Sequence, residues 1–132
     1  MLGELIEETH GKRTARRVLS TNPLTVEVSF EGTGKLLGND VMEIATYTSH
    51  VRPDGSLYGE GEGAYMSSSG EGVSWKGAGV GTLGTGGNIS YRGAIYFSTT
   101  SAKFARLNAV AGVFEFSSDA QGNVASKTWE WK

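Results

Sequence analysis

Apolar and polar residues alternate along most of this chain. Leu24, Val26, Val28 and Phe30 interleave with Thr25, Glu27, Ser29 and Glu31, the period-two pattern of a half-buried strand. Similar runs span about 41–51, 57–67, 73–83, 88–99, 110–117 and 124–131, each bounded by turn chemistry. Arg52-Pro53-Asp54-Gly55 sets proline and glycine at turn positions, and residues 68–72, 84–87 and 119–123 supply three more reversals. One segment breaks the meander: at 101–108 a serine cap precedes Ala, Lys, Phe, Ala, Arg and Leu, which predicts two turns of helix. With the charged N-terminal segment taken as strand, the pattern predicts a single all-β domain over residues 1–132. Its architecture is an antiparallel up-and-down β-barrel of about eight strands with one short helix near residues 101–108.

Two of these runs carry glycine at every second position: Gly59, Gly61, Gly63, and then Gly77, Gly79, Gly81. One face of each strand is therefore bare, as sharp coiling or close approach of another group requires. Folding the hairpin about Gly70 pairs Gly59 with Gly81, Gly61 with Gly79, Gly63 with Gly77 and Tyr65 with Trp75. A second reversal about Thr85 puts Tyr91 beside Gly79. Leu57, Val73, Leu83, Ile89, Tyr91, Ile95 and Phe97 share the glycines' parity, while Glu60, Glu62, Lys76 and Arg92 have the other. The glycine floor is thus expected to face the interior. Rings at Phe30, Trp75, Tyr91, Phe97, Phe114 and Phe116 either fill the space above it or leave a pocket.

The facing of strand 41–51 has two solutions. A three-residue Pro-Asp-Gly loop turns Glu43, Ala45, Tyr47 and Ser49 inward. A two-residue Asp-Gly loop turns Met42, Ile44, Thr46, Thr48 and His50 inward instead. Proline ahead of Asp-Gly favours the longer loop, and the apolar Met42 and Ile44 favour the shorter. In the first case Glu43 is a carboxyl desolvated against Tyr65 and Trp75, with a raised pKa suited to general acid–base work. The candidate catalytic groups are accordingly Glu43 and His50, and the candidate ligand-binding residues are Tyr47, Tyr65, Trp75 and Tyr91.

Composition narrows the classes. The net charge of −2 argues against a nucleic-acid partner, and the basic cluster Lys12, Arg13, Arg16, Arg17 sits beside Glu4, Glu7 and Glu8 as a solvated strand surface. The chain has no cysteine and two histidines forty residues apart, so neither thiolate chemistry nor a built-in metal site is expected. No cofactor is expected. The acidic N-terminus lacks the features of a signal peptide and no run approaches the ~20 apolar residues of a membrane span, so a cytoplasmic location is expected. Gly79-Val-Gly81-Thr-Leu-Gly84 matches a dinucleotide fingerprint by letter, but a hairpin follows it where a helix is needed. Gly32-Thr-Gly-Lys35 reads as a plain turn. Asp119, Gln121, Asn123 and Glu130 mimic calcium-loop spacing, with Val124 where the bend needs glycine. Trp129-Glu-Trp131 closes the chain as a final strand or as an oligomer contact.

The glycine-alternating meander, Tyr91-Arg92-Gly93, and the closing pair Phe114-Glu-Phe116 and Trp129-Glu-Trp131 resemble small bacterial proteins related to the allene oxide cyclase barrel. The resemblance covers about residues 24–132 and includes no catalytic motif. It implies an eight-stranded antiparallel barrel, commonly oligomeric, with an apolar cavity. The expected function is binding of a small apolar or aromatic molecule inside a homo-oligomeric barrel, with cyclase or isomerase chemistry as one form of it. The alternatives are a non-enzymatic carrier and an oligomerising module with a filled interior. An interior void of roughly a few hundred Å³ would favour a ligand.

Overall fold

Eight strands in chain order account for nearly all of the computed structural model, which describes residues 2–132. They are β1 (Leu2–Thr21), β2 (Leu24–Leu36), β3 (Asn39–Val51), β4 (Leu57–Ser67), β5 (Gly72–Leu83), β6 (Ile89–Ser98), β7 (Ala111–Ser118) and β8 (Asn123–Trp131). Each pairs antiparallel with its sequence neighbour, and β8 returns to β1, so the sheet closes as an up-and-down barrel. β8 accompanies β1 only as far as the pair Lys12 and Asn123, whereas β2 accompanies it to Thr21. The basic Arg16 and Arg17 lie on this one-sided stretch and are exposed. Among the described residues no helix is long and apolar enough to cross a membrane.

The facing of β3 follows the longer-loop solution. Val41, Glu43 and Ala45 are buried, while Met42 and Ile44 are 65% and 60% exposed. Tyr47 pairs with Gly61 and Glu43 with Tyr65. The reversal is closed by the Arg52 amide donating to the Ser56 carbonyl at 2.8 Å, and the Ser56 amide and hydroxyl both donate to Asp54. One turn therefore decides the orientation of every side chain on the strand, against the hydrophobicity of two of them.

The two glycine runs face inward and are partners, but in a register shifted by two residues from the expected one. Gly59 pairs with Gly79, Gly61 with Gly77, and Gly63 with Trp75, while Tyr65 faces Val73. The turn explains the shift. Hydroxyls of Ser67 and Ser69 both donate to the Glu71 carboxylate, and the Ser67 amide donates to the Glu71 carbonyl. Glu71 is thereby drawn into the turn and the pivot moves to Ser69. The next reversal shifts likewise, because a 3-10 turn at Thr85–Gly87 occupies it; Tyr91 faces Gly81 and Phe97 faces Trp75.

Two further expectations change. Gly32-Thr33-Gly34-Lys35 is the interior of β2 and not a turn. The segment expected to form an α-helix at 101–108 instead forms a 3-10 turn at Ala105–Ala109. Its apolar anchors, Phe104 and Leu107, are three residues apart and both fully buried; a repeat of three residues per turn puts them on one side. Asn108 clasps Thr99 through both of its backbone groups, at 2.9 and 3.0 Å, which folds the connection over one end of the barrel. The core accordingly divides in two. Phe104, Leu107 and Val110 pack with Ile6, Leu36, Val41, Tyr65, Val73, Ile95 and Phe97 at that end. Phe30, Ala45, Leu57, Tyr91, Phe116 and Val124 form a second cluster.

Candidate functional site

Between the two apolar clusters the barrel holds a knot of polar side chains. Glu43 on β3 and Glu7 on β1 are only 5% and 2% exposed. The hydroxyl of Thr9 lies between them, 3.1 Å from Glu7 Oε2 and 3.1 Å from Glu43 Oε1. Glu7 also accepts from the Tyr65 hydroxyl at 2.8 Å, from Ser126 at 3.2 Å and from Thr128 at 3.3 Å. Glu43 accepts at Oε2 from the indole N–H of Trp75 at 3.0 Å. Among the described residues no cation pairs with either carboxyl, and no buried side-chain polar atom lacks a partner.

Proton counting determines the charge state. A threonine hydroxyl has one hydrogen, so it cannot donate to two carboxylates at once. The arrangement is satisfied when Glu43 holds a proton and donates it to Thr9 Oγ1, which in turn donates to Glu7. Glu7, with four hydroxyls around it, is the partner better supplied to carry the negative charge. Both carboxyls are pushed up from the usual carboxylate range, chiefly by burial. Glu43 reaches about 8, with the Glu7 charge as the second cause. The pair therefore shares a single proton at neutral pH. Tyr65 is held well above its ordinary value by burial and by these two carboxyls.

Glycine makes these contacts possible. The three strands that supply Thr9, Glu43 and Trp75 are not neighbours; β2 and β4 lie between them. On β2 the inward positions facing the gap are Gly32 and Gly34, and a Cβ on Gly34 would stand 2.6 Å from Thr9 Cα. On β4 it is Gly63, where a Cβ would stand 2.7 Å from Trp75 Nε1 and 2.8 Å from Ala45 Cβ. Side chains on alternate strands thus meet over a bare intervening backbone.

Beside this knot lies a cavity of about 60 Å³. Glu43, Tyr47, Tyr65, Trp75 and Tyr91 line it, together with Phe30, Phe114, Phe116, Ser126 and the glycine floor. Rings take most of the space: Tyr91 lies over Gly59 and Gly81, and Phe114 over Gly79. Tyr47 meets Tyr91 and Phe116 edge-on with centroids 5.8 and 5.6 Å away. The Tyr91 hydroxyl bonds Ser49 at 2.6 Å, joining β6 to β3 across the interior. Burial raises Tyr47 and Tyr91 above the ordinary phenol range.

Five of the six residues singled out in the sequence are therefore gathered around one cavity. His50 is not: it takes the outward parity of β3, with its ring 5.7 Å from that of Tyr58. Glu7, Thr9, Ser126 and Thr128 escaped the sequence reading. Ile6 and Glu7 are consecutive and both buried, where the pairing of β1 with β8 shifts register; such a bulge breaks the alternation that would have flagged Glu7. Among the described residues no cluster of three or more His, Cys, Asp or Glu is arranged to hold a metal.

No protein-family model matches the chain, and no curated protein matches it. Solved bacterial structures share its architecture. A protein of unknown function from Clostridium acetobutylicum ATCC 824 is similar with a TM-score of 0.85 at 14% identity, over 98% of this chain and 99% of that one. A conserved protein of unknown function from Rhodopseudomonas palustris has a TM-score of 0.83 at 13% identity, over 98% and 97%. A β-barrel-like protein from Acinetobacter baumannii AYE has a TM-score of 0.83 at 14% identity, over 100% and 96%. At such identities the likeness is one of fold.

Proposed function

We propose that this small β-barrel protein binds a small, apolar-surfaced molecule in its interior and that Glu43 acts on it as a general acid–base group, as in an isomerase or a cyclase. The observation that carries this reading is the pair of buried carboxyls, Glu43 and Glu7, each 3.1 Å from the Thr9 hydroxyl at the wall of an aromatic cavity. A carboxyl that titrates near 8 is poised to give and retake a proton at neutral pH. The surrounding rings supply a dry enclosure that restricts a bound molecule's conformations. Kinship with the allene oxide cyclase-like barrels and a cytoplasmic location belong to the same proposal. The cavity is smaller than the few hundred Å³ typical of ligand pockets. At the roughly 25 Å³ per non-hydrogen atom of an apolar cavity that takes benzene, it holds about two such atoms, so a larger molecule enters only as the lining rings turn aside.

The test is a titration with tert-butanol followed by amide NMR. Saturable shifts at Tyr47, Tyr65, Trp75 and Tyr91 are expected, and a silent interior would end the reading. Native mass spectrometry of protein from its own host then seeks the natural ligand, on which Glu43→Gln should abolish turnover. A second reading, an oligomerising module, draws on how fully the rings occupy the barrel and on the outward Met42, Ile44 and Met66. Light scattering that finds a monomer at all concentrations would remove it.

A further inference from the structure

We infer that the ligand of the interior cavity is a small organic cation, an ammonium with apolar substituents, held by the Glu43 carboxylate against the aromatic rings. This rests on the binding function proposed above and names its ligand class. Three observations converge on it.

The first is the hydrogen-bond census at the polar end of the cavity. The Trp75 N–H is given to Glu43, and the Tyr65 and Ser126 hydroxyls are given to Glu7. The proton of Glu43 itself is given to Thr9, which passes its own to Glu7. None of these donors is left for an incoming carbonyl, carboxylate or phosphate; the Tyr47 hydroxyl, which makes no hydrogen bond among the described residues, belongs to the other cluster of rings with Phe30, Tyr91 and Phe116. What remains exposed there is acceptor: the second lone pairs of the carboxyl oxygens. The second is charge. Among the described residues no lysine, arginine or histidine lines the cavity and neither buried carboxyl has a cationic partner; Arg13 and Arg16 act on Tyr47 and not on Glu43 or Glu7, so the carboxyl end disfavours an anion and lacks a counter-ion. The third is the lining. Phe30, Tyr47, Tyr65, Trp75, Tyr91, Phe114 and Phe116 present ring surface, and ring faces attract a desolvated cation while tolerating its alkyl groups.

Binding would exchange one positive charge for another. The cation enters, Glu43 releases its proton to solvent, and the carboxylate so formed faces the ammonium; no other bond changes. The titratable groups that face Glu43 are Glu7 from β1 and Tyr65 from β4; Tyr47, Glu60 and Tyr91 line the same cavity, and Arg13 and Arg16 act on Tyr47 from β1; Trp75 and Ser126, from β5 and β8, do not titrate. The tyrosines stay neutral throughout the range below.

The experiment is isothermal titration calorimetry of the whole protein with tetramethylammonium, whose charge is independent of pH, against tert-butanol, a neutral molecule of equal heavy-atom count. Tetramethylammonium affinity is expected to rise up to tenfold per pH unit from pH 6 to pH 8 and then level off. Buffers of different ionisation enthalpy should show about one proton released per cation bound at pH 7. Glu43→Gln should lower that affinity at least tenfold at pH 8 and flatten its pH dependence. If the variant does not fold, proton release by the natural protein decides alone. Binding of tert-butanol with none of tetramethylammonium, or cation binding without proton release, would overturn the cation assignment and leave the binding function standing. Failure of both probes would overturn both.

Discussion

Replacing Glu43 by glutamine changes one atom and removes one titration. In the barrel the side-chain amide takes over both neutral contacts: its oxygen accepts from Trp75 and its nitrogen donates to Thr9, the two partners of Glu43 at 3.0 and 3.1 Å. One extra N–H is left without an acceptor, worth about 1–2 kcal/mol against the variant. At pH 5 the variant should therefore be slightly the less stable. The order reverses as pH rises. Below about 4.5 the folded and unfolded chains both hold the Glu43 proton; between there and about 8 the unfolded chain releases it and the folded chain keeps it. Stability of the natural protein thus falls with rising pH across this window, then stays level from this group once both states are ionised. At ~1.4 kcal/mol per tenfold in proton affinity, a carboxyl raised from 4.5 to about 8 carries a full penalty of about 5 kcal/mol. Urea denaturation of both proteins at pH 5, 6.5, 8 and 9 follows it, because the groups outside the Glu7–Glu43 pair titrate alike in both. The stability of the variant relative to the natural protein should climb by about 4 kcal/mol between pH 5 and pH 9. A difference constant to within about 1 kcal/mol would mean that Glu43 ionises in the fold as it does in water, and the shared proton would be refuted.

Three other outcomes follow from the same contacts. Thr9→Val keeps the shape but removes the relay, leaving the Glu43 proton without an acceptor; denaturation at pH 6 should show a loss of about 1–3 kcal/mol. Gly63→Ala sets a methyl 2.7 Å from Trp75 Nε1 and 2.8 Å from the Ile44 carbonyl oxygen, so it should cost about 1–3 kcal/mol and alter the tryptophan near-ultraviolet dichroism. Leu107→Ala empties a fully buried site in the 3-10 turn and should lower stability by about 2–5 kcal/mol, read as a lower Tm in calorimetry.

Local chemistry determined much of this barrel. Period-two alternation and turn residues mark seven of the eight strands, and the shared parity of the two glycine runs with Tyr91, Ile95 and Phe97 marks the interior. Those signals are legible because strand geometry makes facing a property of adjacent residues. The same parity, once the Arg52–Ser56 turn selected it, brought Glu43 inward with Tyr47. What the chain alone left open depends on contacts between distant segments. The glycine runs slide by two residues without changing which face they present, so alternation is blind to a shift that Glu71 and the Ser67 and Ser69 hydroxyls decide within the turn. Glu7 sits in a stretch of mixed charge, and only the β1–β8 bulge and barrel closure turn it inward to meet a carboxyl thirty-six residues away. Gly32 and Gly34 read as a turn because their use, letting Thr9 reach Glu43 over β2, exists only when three strands are side by side. The acid–base pair is a product of closure: each half is an ordinary glutamate until the barrel removes its water and leaves the two with one proton.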